Sequence, residues 1–162
     1  TGQEYSSRGL EASLSYRPVQ STQLMVNYTY LDPKWDELII AGSYGGADTD
    51  YSGNIPQGVP KHIVYAEFSH VFSEYLKTSL SYEWYGDYFV DLANNVETGQ
   101  YDLLNLSATW FPTSKQNLAL DLSVTNLLGE DYFFYFAGSR SAATNASPGV
   151  PRQLRLSAKV MF

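Results

Sequence analysis

The chain has 162 residues, enough for one domain, and its formal net charge of −7 gives a nucleic-acid role little electrostatic support. It contains no cysteine, which excludes a disulfide framework and a thiolate metal site. No apolar run approaches the roughly 18 residues of a membrane-spanning helix, but that leaves open the weaker signal of strands that cross as a barrel.

Read in order, the chain alternates apolar and polar residues nearly throughout, the spacing of strands whose two faces meet different surroundings. A first strand is predicted over Gly9–Arg17, with Leu10, Ala12, Leu14 and Tyr16 on one face and Glu11, Ser13, Ser15 and Arg17 on the other. Pro18, which cannot donate to a ladder, ends it. After a turn at Val19–Thr22, a second strand covers Gln23–Leu31, with Leu24, Val26, Tyr28 and Tyr30 sharing a face. Asp32–Pro60, rich in Gly, Asp, Ser and Tyr, reads as a long loop. A third strand, Lys61–Phe72, sets Val64, Ala66, Phe68 and Phe72 against Glu67 and Ser69. It turns at Ser73-Glu74 into a fourth, Tyr75–Asp87, with Leu76, Leu80, Tyr82 and Trp84 opposite Lys77, Ser79, Ser81 and Glu83. The loop Tyr88–Gly99 leads to a fifth strand, Gln100–Phe111, in which Leu104, Leu106, Ala108 and Trp110 oppose Asn105, Ser107 and Thr109. A polar turn, Pro112–Gln116, precedes a sixth strand in Leu118–Leu128, with Leu118, Leu120, Leu122 and Val124 apolar against Asp121, Ser123 and Thr125. The loop Gly129–Pro151 separates it from a seventh, Gln153–Phe162, where Leu154, Leu156, Ala158, Val160 and Phe162 oppose Gln153, Arg155, Ser157, Lys159 and Met161. That strand closes on an aromatic residue, as lipid-facing strands do at the edge of a membrane.

Connections alternate short and long, the pattern of outer-membrane barrels with tight turns on one side and long loops on the other. On that reading Tyr16, Phe72, Tyr75, Trp110, Phe111 and Phe162 form an aromatic girdle at the turn side. Tyr30, Tyr65, Trp84 and Tyr101 form the opposite one, and the abundance of tyrosine, 14 residues, suits such boundaries. The count of strands is informative in itself. Seven antiparallel strands leave the first and last running the same way, so they cannot close on each other as an even-stranded barrel does. An open edge in lipid leaves backbone groups unsatisfied at several kcal/mol each. The rest of the wall must come from an earlier segment, a missed strand or another chain. The sequence begins at Thr1 with neither Met nor a signal peptide, and so reads as a mature piece or a fragment.

Five stretches carry a family likeness. They are Ser7-Arg8-Gly9-Leu10-Glu11; Asn27-Tyr28-Thr29-Tyr30 with Asp32; Gly53-Asn54-Ile55-Pro56 followed by Val59-Pro60-Lys61-His62; Val124-Thr125-Asn126-Leu127-Leu128 with Tyr132; and Gly149-Val150-Pro151-Arg152 with the strand to Phe162. In this order they resemble the C-terminal barrel region of TonB-dependent outer-membrane receptors. Gly129-Glu130-Asp131 departs from the acidic–basic turn usual there. The resemblance implies an all-β fold, residues 1–162 being an antiparallel transmembrane segment of about seven strands in a barrel of about 22, with a plugged lumen. It implies a location in the bacterial outer membrane and no enzymatic activity or cofactor. The implied work is uptake of a scarce nutrient, most often a ferric siderophore or similar chelate, energised by the TonB complex. The implied partners are membrane lipid, the remaining barrel and its plug, and TonB through an N-terminal region absent here. The terminal strand, with Leu154, Leu156, Val160 and Phe162, would be read by the barrel-assembly machinery.

Candidate binding residues are the loop aromatics Trp35, Tyr44, Tyr51, Tyr88, Phe89, Tyr132, Phe133 and Tyr135, joined by Arg140 for an anionic ligand. An aromatic ring with a polar tip suits capture of a chelate from outside, and equally suits plain anchoring at the interface. The charges Glu11, Arg17, Glu67, Lys77, Glu83, Asp121, Arg155 and Lys159 mix both signs on the polar face and read as a hydrated inner wall that contacts the plug. His62 and His70 share one strand face about 26 Å apart, so they cannot hold one metal and read as structural. The Gly-rich run Ala41–Tyr51 lacks the Lys of a phosphate loop and the ligand spacing of a calcium loop, and reads as an extracellular loop. Two other classes compete: a small outer-membrane enzyme or adhesion barrel, and a soluble β-barrel holding a small ligand. Dependence on detergent separates the second from the receptor reading.

Overall fold

Alternating runs find their lowest-energy arrangement when neighbours pair in phase, apolar beside apolar on one face and polar beside polar on the other. The computed structural model describes residues 3–113, 117–138 and 143–160. The strands, in order, are β1 (Gln3–Val19), β2 (Thr22–Ile40), β3 (Thr49–Asp50), β4 (His62–Ser73), β5 (Leu76–Tyr85), β6 (Tyr101–Trp110), β7 (Leu118–Thr125), β8 (Phe133–Gly138), β9 (Ala143–Pro148) and β10 (Gln153–Val160). The wall is one antiparallel sheet in the order β1-β2-β4-β5-β6-β7-β10, with β3 added to β2. β8 and β9 form a separate hairpin inside the last loop. Among the described residues no helix is long and apolar enough to cross a membrane.

The register makes the two faces explicit. Tyr16, Leu24, Phe68, Leu80, Leu106, Val124 and Leu154 lie opposite one another across all seven wall strands. One residue along, Gln23, Ser69, Ser79, Ser107, Ser123 and Arg155 make a polar row on the other face. Among the described residues the apolar face carries no second layer of protein: Leu154 is 67% exposed, Leu156 74% and Val160 55%. Such a surface is far more apolar than a soluble monomer presents, and it suits lipid. β1 and β10 are exposed along their described lengths and stand at the two open edges. The hairpin β8–β9 pairs only with itself among the described residues, so it supplies no further wall strand.

Several sequence expectations change. Pro18 does not end the first strand. β1 runs on to Val19, and its pairing with β2 shifts between Tyr16 and Val19, a bulge in which the ladder asks no N–H of proline. β2 does not stop at Leu31 but climbs to Ile40, paired with Gln3–Arg8 of β1. Pro33 is tolerated there because Leu31 and Trp35 donate away from β1, to Lys61 O (2.8 Å) and Asn54 O (3.0 Å). The N of Pro33 lies on that same side by alternation, so the β1–β2 ladder loses nothing. Gly9, in the first family-like stretch, lies so close to β2 that a Cβ would come within 2.6 Å of Tyr30 O. Tyr65 and Tyr101 leave the expected girdle. Their register sets Tyr65 beside Glu83 and Tyr101 beside Tyr85 on the polar face, whereas Tyr30 and Trp84 do face outward. Both histidines sit on the apolar face. His62 is hydrogen-bonded to the Tyr28 hydroxyl (2.8 Å) and His70 to that of Thr22 (2.7 Å), which gives each ring a polar partner on an otherwise apolar face. Phe162 lies outside the described residues.

Candidate functional site

Among the described residues, most buried apolar side chains lie at the loop end of the sheet, Ala119 of β7 being the exception. Leu38, Tyr51, Tyr88 and Val90 are buried, all from the β2 extension and the loops between β3 and β4 and between β5 and β6. These two loops are bound side by side through the backbone and through amide side chains. Asn54 Nδ2 donates to Leu92 O (2.7 Å), Gln57 Nε2 to Val90 O (3.1 Å) and Gly58 N to Phe89 O (2.9 Å). Asn94 exchanges two bonds with Ile55, accepting from its N–H (2.7 Å) and donating to its carbonyl (2.9 Å). Asp91, fully buried, accepts from the N–H of Asn95 (3.0 Å) and of Val96 (2.9 Å), which settles its charge within the loop. Hydrogen bonds from Ser52 hold the exposed Asp50 carboxyl below its usual range.

The third loop is pinned at its base. Asn126, 3% exposed with φ 51°, accepts from Glu130 N (2.7 Å) and donates to Glu130 O (2.8 Å) and Val150 O (3.1 Å). Its own N–H donates to Asn105 Oδ1 (3.0 Å). Tyr132 stacks on Tyr101 at 4.6 Å, which stacks on Tyr85 at 5.0 Å, so three rings form a column on the polar face at the loop end. Gly149 packs against Tyr132 so closely that a Cβ would lie 2.3 Å from ring carbons. The hydroxyl of Tyr88 donates to Phe133 O (3.2 Å), tying the β8–β9 hairpin to the second loop. Burial pushes the Tyr88 phenol above its ordinary value.

The predicted aromatics therefore divide. Tyr51 (7% exposed) and Tyr88 (6%) are pillars of the loop core. Trp35 is half-buried beside Tyr5, ring centroids 5.7 Å apart. Tyr44 stands fully in solvent on a left-handed backbone turn. Tyr88 and Phe89 line a cleft of about 310 Å³ with Ile55, Val59, Lys61 and Glu97. Tyr132 and Phe133 line another of about 280 Å³ with Tyr101, Glu97, Glu130 and Asp131. The side chain of Tyr135 and the whole of Arg140 lie outside the described residues. Sequence reading placed Tyr101 in a girdle and Asn126 in a family-like stretch but counted neither of them, nor Tyr85 or Asn94, among the loop-end residues; the strand parity of the two tyrosines was the available signal. Among the described residues no group of three or more His, Asp or Glu is placed to hold a metal ion.

A family described as TonB dependent receptor-like, beta-barrel, matches residues 1–127. Among solved structures, the chain is similar to the siderophore receptor PiuA from Acinetobacter baumannii, at 23% identity and a TM-score of 0.78 over 96% of this chain and 22% of that one. It is similar to the ferric yersiniabactin uptake receptor FyuA from Yersinia pestis, at 19% identity and a TM-score of 0.79 over 99% of this chain and 24% of that one. It is also similar to BauA, the ferric preacinetobactin receptor from Acinetobacter baumannii, at 22% identity and a TM-score of 0.72 over 96% and 22% of the two chains. The chain thus spans less than a quarter of the receptors it matches. No curated protein sequence matches it.

Proposed function

From the premise that this chain belongs to the TonB-dependent receptor-like β-barrel family, a family of bacterial outer-membrane proteins, we propose that residues 1–162 form one arc of the wall of a nutrient-uptake receptor. The cargo on this reading is a ferric siderophore or similar chelate, the energy comes from the TonB complex, and a plug from elsewhere in the protein fills the lumen. No bond is made or broken in the cargo. The observation that carries the reading is the pairing of a bare apolar face with a polar one, topped by ordered loops, in a chain of this family. Siderophore receptors among its structural neighbours support the choice of cargo.

The binding part of the proposal rests on Phe89 and Phe133, which line clefts between loops, and on Tyr44, which projects into solvent. Tyr51 and Tyr88 belong to the buried loop core, and Tyr88 also lines the cleft of Phe89. The test is iron-limited growth and uptake of iron-55-labelled chelates by cells with and without the full-length gene, repeated with the TonB complex removed. Uptake that vanishes in both deletions is expected. Uptake independent of TonB, or unchanged on loss of the gene across hydroxamate, catecholate and carboxylate chelates, would overturn the reading.

A further inference from the structure

We propose that the aromatic cleft between Glu97 and Tyr132 takes a cationic arm of the cargo, so that the chelate is one bearing a free ammonium group rather than an anionic one. The proposal rests on the reading of this chain as part of a chelate receptor and narrows the cargo of that site. The sign of the loop end is set by the sequence. Segments 3–8, 32–61, 86–100 and 126–152 hold eleven Asp and Glu against five Lys and Arg, which is six of the chain's seven net negative charges. Charge of one sign around a mouth raises the local concentration of ions of the other.

The geometry gives that charge a place to act. A cleft of about 280 Å³ at the loop end of the polar face is lined by Glu97, Tyr101, Glu130, Asp131, Tyr132 and Phe133, and by no Lys or Arg. Glu97 comes from the loop between β5 and β6, Glu130 and Asp131 from the loop after β7. The second loop is fixed here, because the side-chain amide of Asn126 bonds both the N–H and the carbonyl of Glu130. Among the described residues no ion pair within 4.0 Å holds any of the three carboxylates; the pair that forms, Lys34–Asp32, belongs to β2. Arg152 reaches Gly129 but does not line the cleft. Stacking on Tyr101 at 4.6 Å orients the Tyr132 ring, and Phe133 is 48% exposed. The face of an aromatic ring is negative and attracts an ammonium. Rings alone would accept any flat arm, but carboxylates beside them repel a catecholate or carboxylate and select a cation. The volume sets how much of the cargo enters. Sites that enclose a whole drug-sized ligand start at roughly 300 Å³, so this cleft holds an arm and leaves the iron core outside. Hydroxamate chelates fit that division. Three hydroxamates neutralise a ferric ion, and a pendant amine then makes the whole chelate cationic, whereas three catecholates leave an excess of negative charge.

The test uses the purified full-length receptor in detergent and follows quenching of its tryptophan fluorescence. The probes are a linear ferric trihydroxamate ending in a primary amine, the same chelate with that amine acetylated, and a ferric tricatecholate. The amine form should bind about tenfold more tightly than the acetylated form at ~0.05 M salt. The gap should narrow at ~0.5 M, as screening shortens the reach of the carboxylates. Glu130→Gln with Asp131→Asn, both at exposed positions, should bring the two affinities within about twofold, with the heat-dependent gel shift of a folded barrel followed in parallel. If that variant does not fold, Glu97→Gln on the other loop is read in its place. Equal affinity of the wild type for the two trihydroxamates overturns the proposal. So does tighter binding of the tricatecholate, or a preference for the amine that survives in the folded variant. In each of those cases a chelate is still bound and the receptor reading stands. A receptor that binds none of the three probes also overturns the proposal, and the receptor reading falls with it only where deleting the gene leaves iron uptake unchanged.

Discussion

At the scale of single residues, the loops are held by groups with little room to change. Gly149 leaves no space for a methyl beside Tyr132. Gly149→Ala should force that ring off Tyr101 at about 1–3 kcal/mol of overpacking. Near-UV circular dichroism of the receptor should lose tyrosine signal, and an unchanged spectrum would contradict the column. Asn126→Ala would leave Glu130 and Val150 with unpaired backbone groups at a 3% exposed position. Tyr88→Phe removes one bond to Phe133, about 1 kcal/mol, and should raise amide exchange in β8 while the paired loops beside it stay protected. The phenol of Tyr88 is raised by burial, so its contribution is complete below its ordinary value of 10.0 and lost as pH climbs past it. Opening of this loop on alkaline titration should therefore begin above about pH 10, and the Phe variant should not show it.

At the scale of the strand, the two faces predict opposite responses to the same change in neighbouring residues. Leu106 lies in the apolar row and Ser107 in the serine row. Leu106→Arg should cost about 2–4 kcal/mol near the bilayer midplane, whereas Ser107→Arg points into the lumen and should cost little. Urea unfolding of the receptor in lipid vesicles separates them, and equal losses would mean the faces are misassigned. This alternation was legible in the sequence because period two needs no tertiary information. Pro18 misled that reading at one point, and the loop-like composition after Leu31 hid the rest of β2 at another. Pro18 sits in a bulge and Pro33 points away from its ladder, and neither fact is visible without the partner strand. The β8–β9 hairpin was hidden because Phe133-Phe134-Tyr135-Phe136 does not alternate and Ala143–Pro148 has no apolar stripe. Tyr65 and Tyr101 were assigned by height along the strand, although their odd parity already set them on the polar face. The candidate site was half legible: aromatics in the loops could be named, but whether each is pillar or surface depends on loop–loop bonds such as Asn94 to Ile55.

At the scale of the molecule, the decisive feature is an open sheet whose apolar face is uncovered among the described residues. Each wall strand is antiparallel to the next, so β1 and β10 run in the same direction, from loops to turns. Antiparallel closure of such an arc requires an odd number of further wall strands. A structure of the complete receptor tests this by simple counting, and an even number would mean that one described pairing is wrong. The same exposed edges and apolar side chains govern the chain in isolation. Leu10, Leu14, Leu154 and Leu156 are each more than 60% exposed, so in water the sheet gains most by pairing edge to edge and face to face with copies of itself. Refolded without detergent, residues 1–162 should give polydisperse aggregate rich in β-structure, as read by light scattering and far-UV circular dichroism. A monodisperse, cooperatively unfolding monomer would show that the apolar face finds a protein partner within the chain, and the assignment of that face to lipid would fall with it.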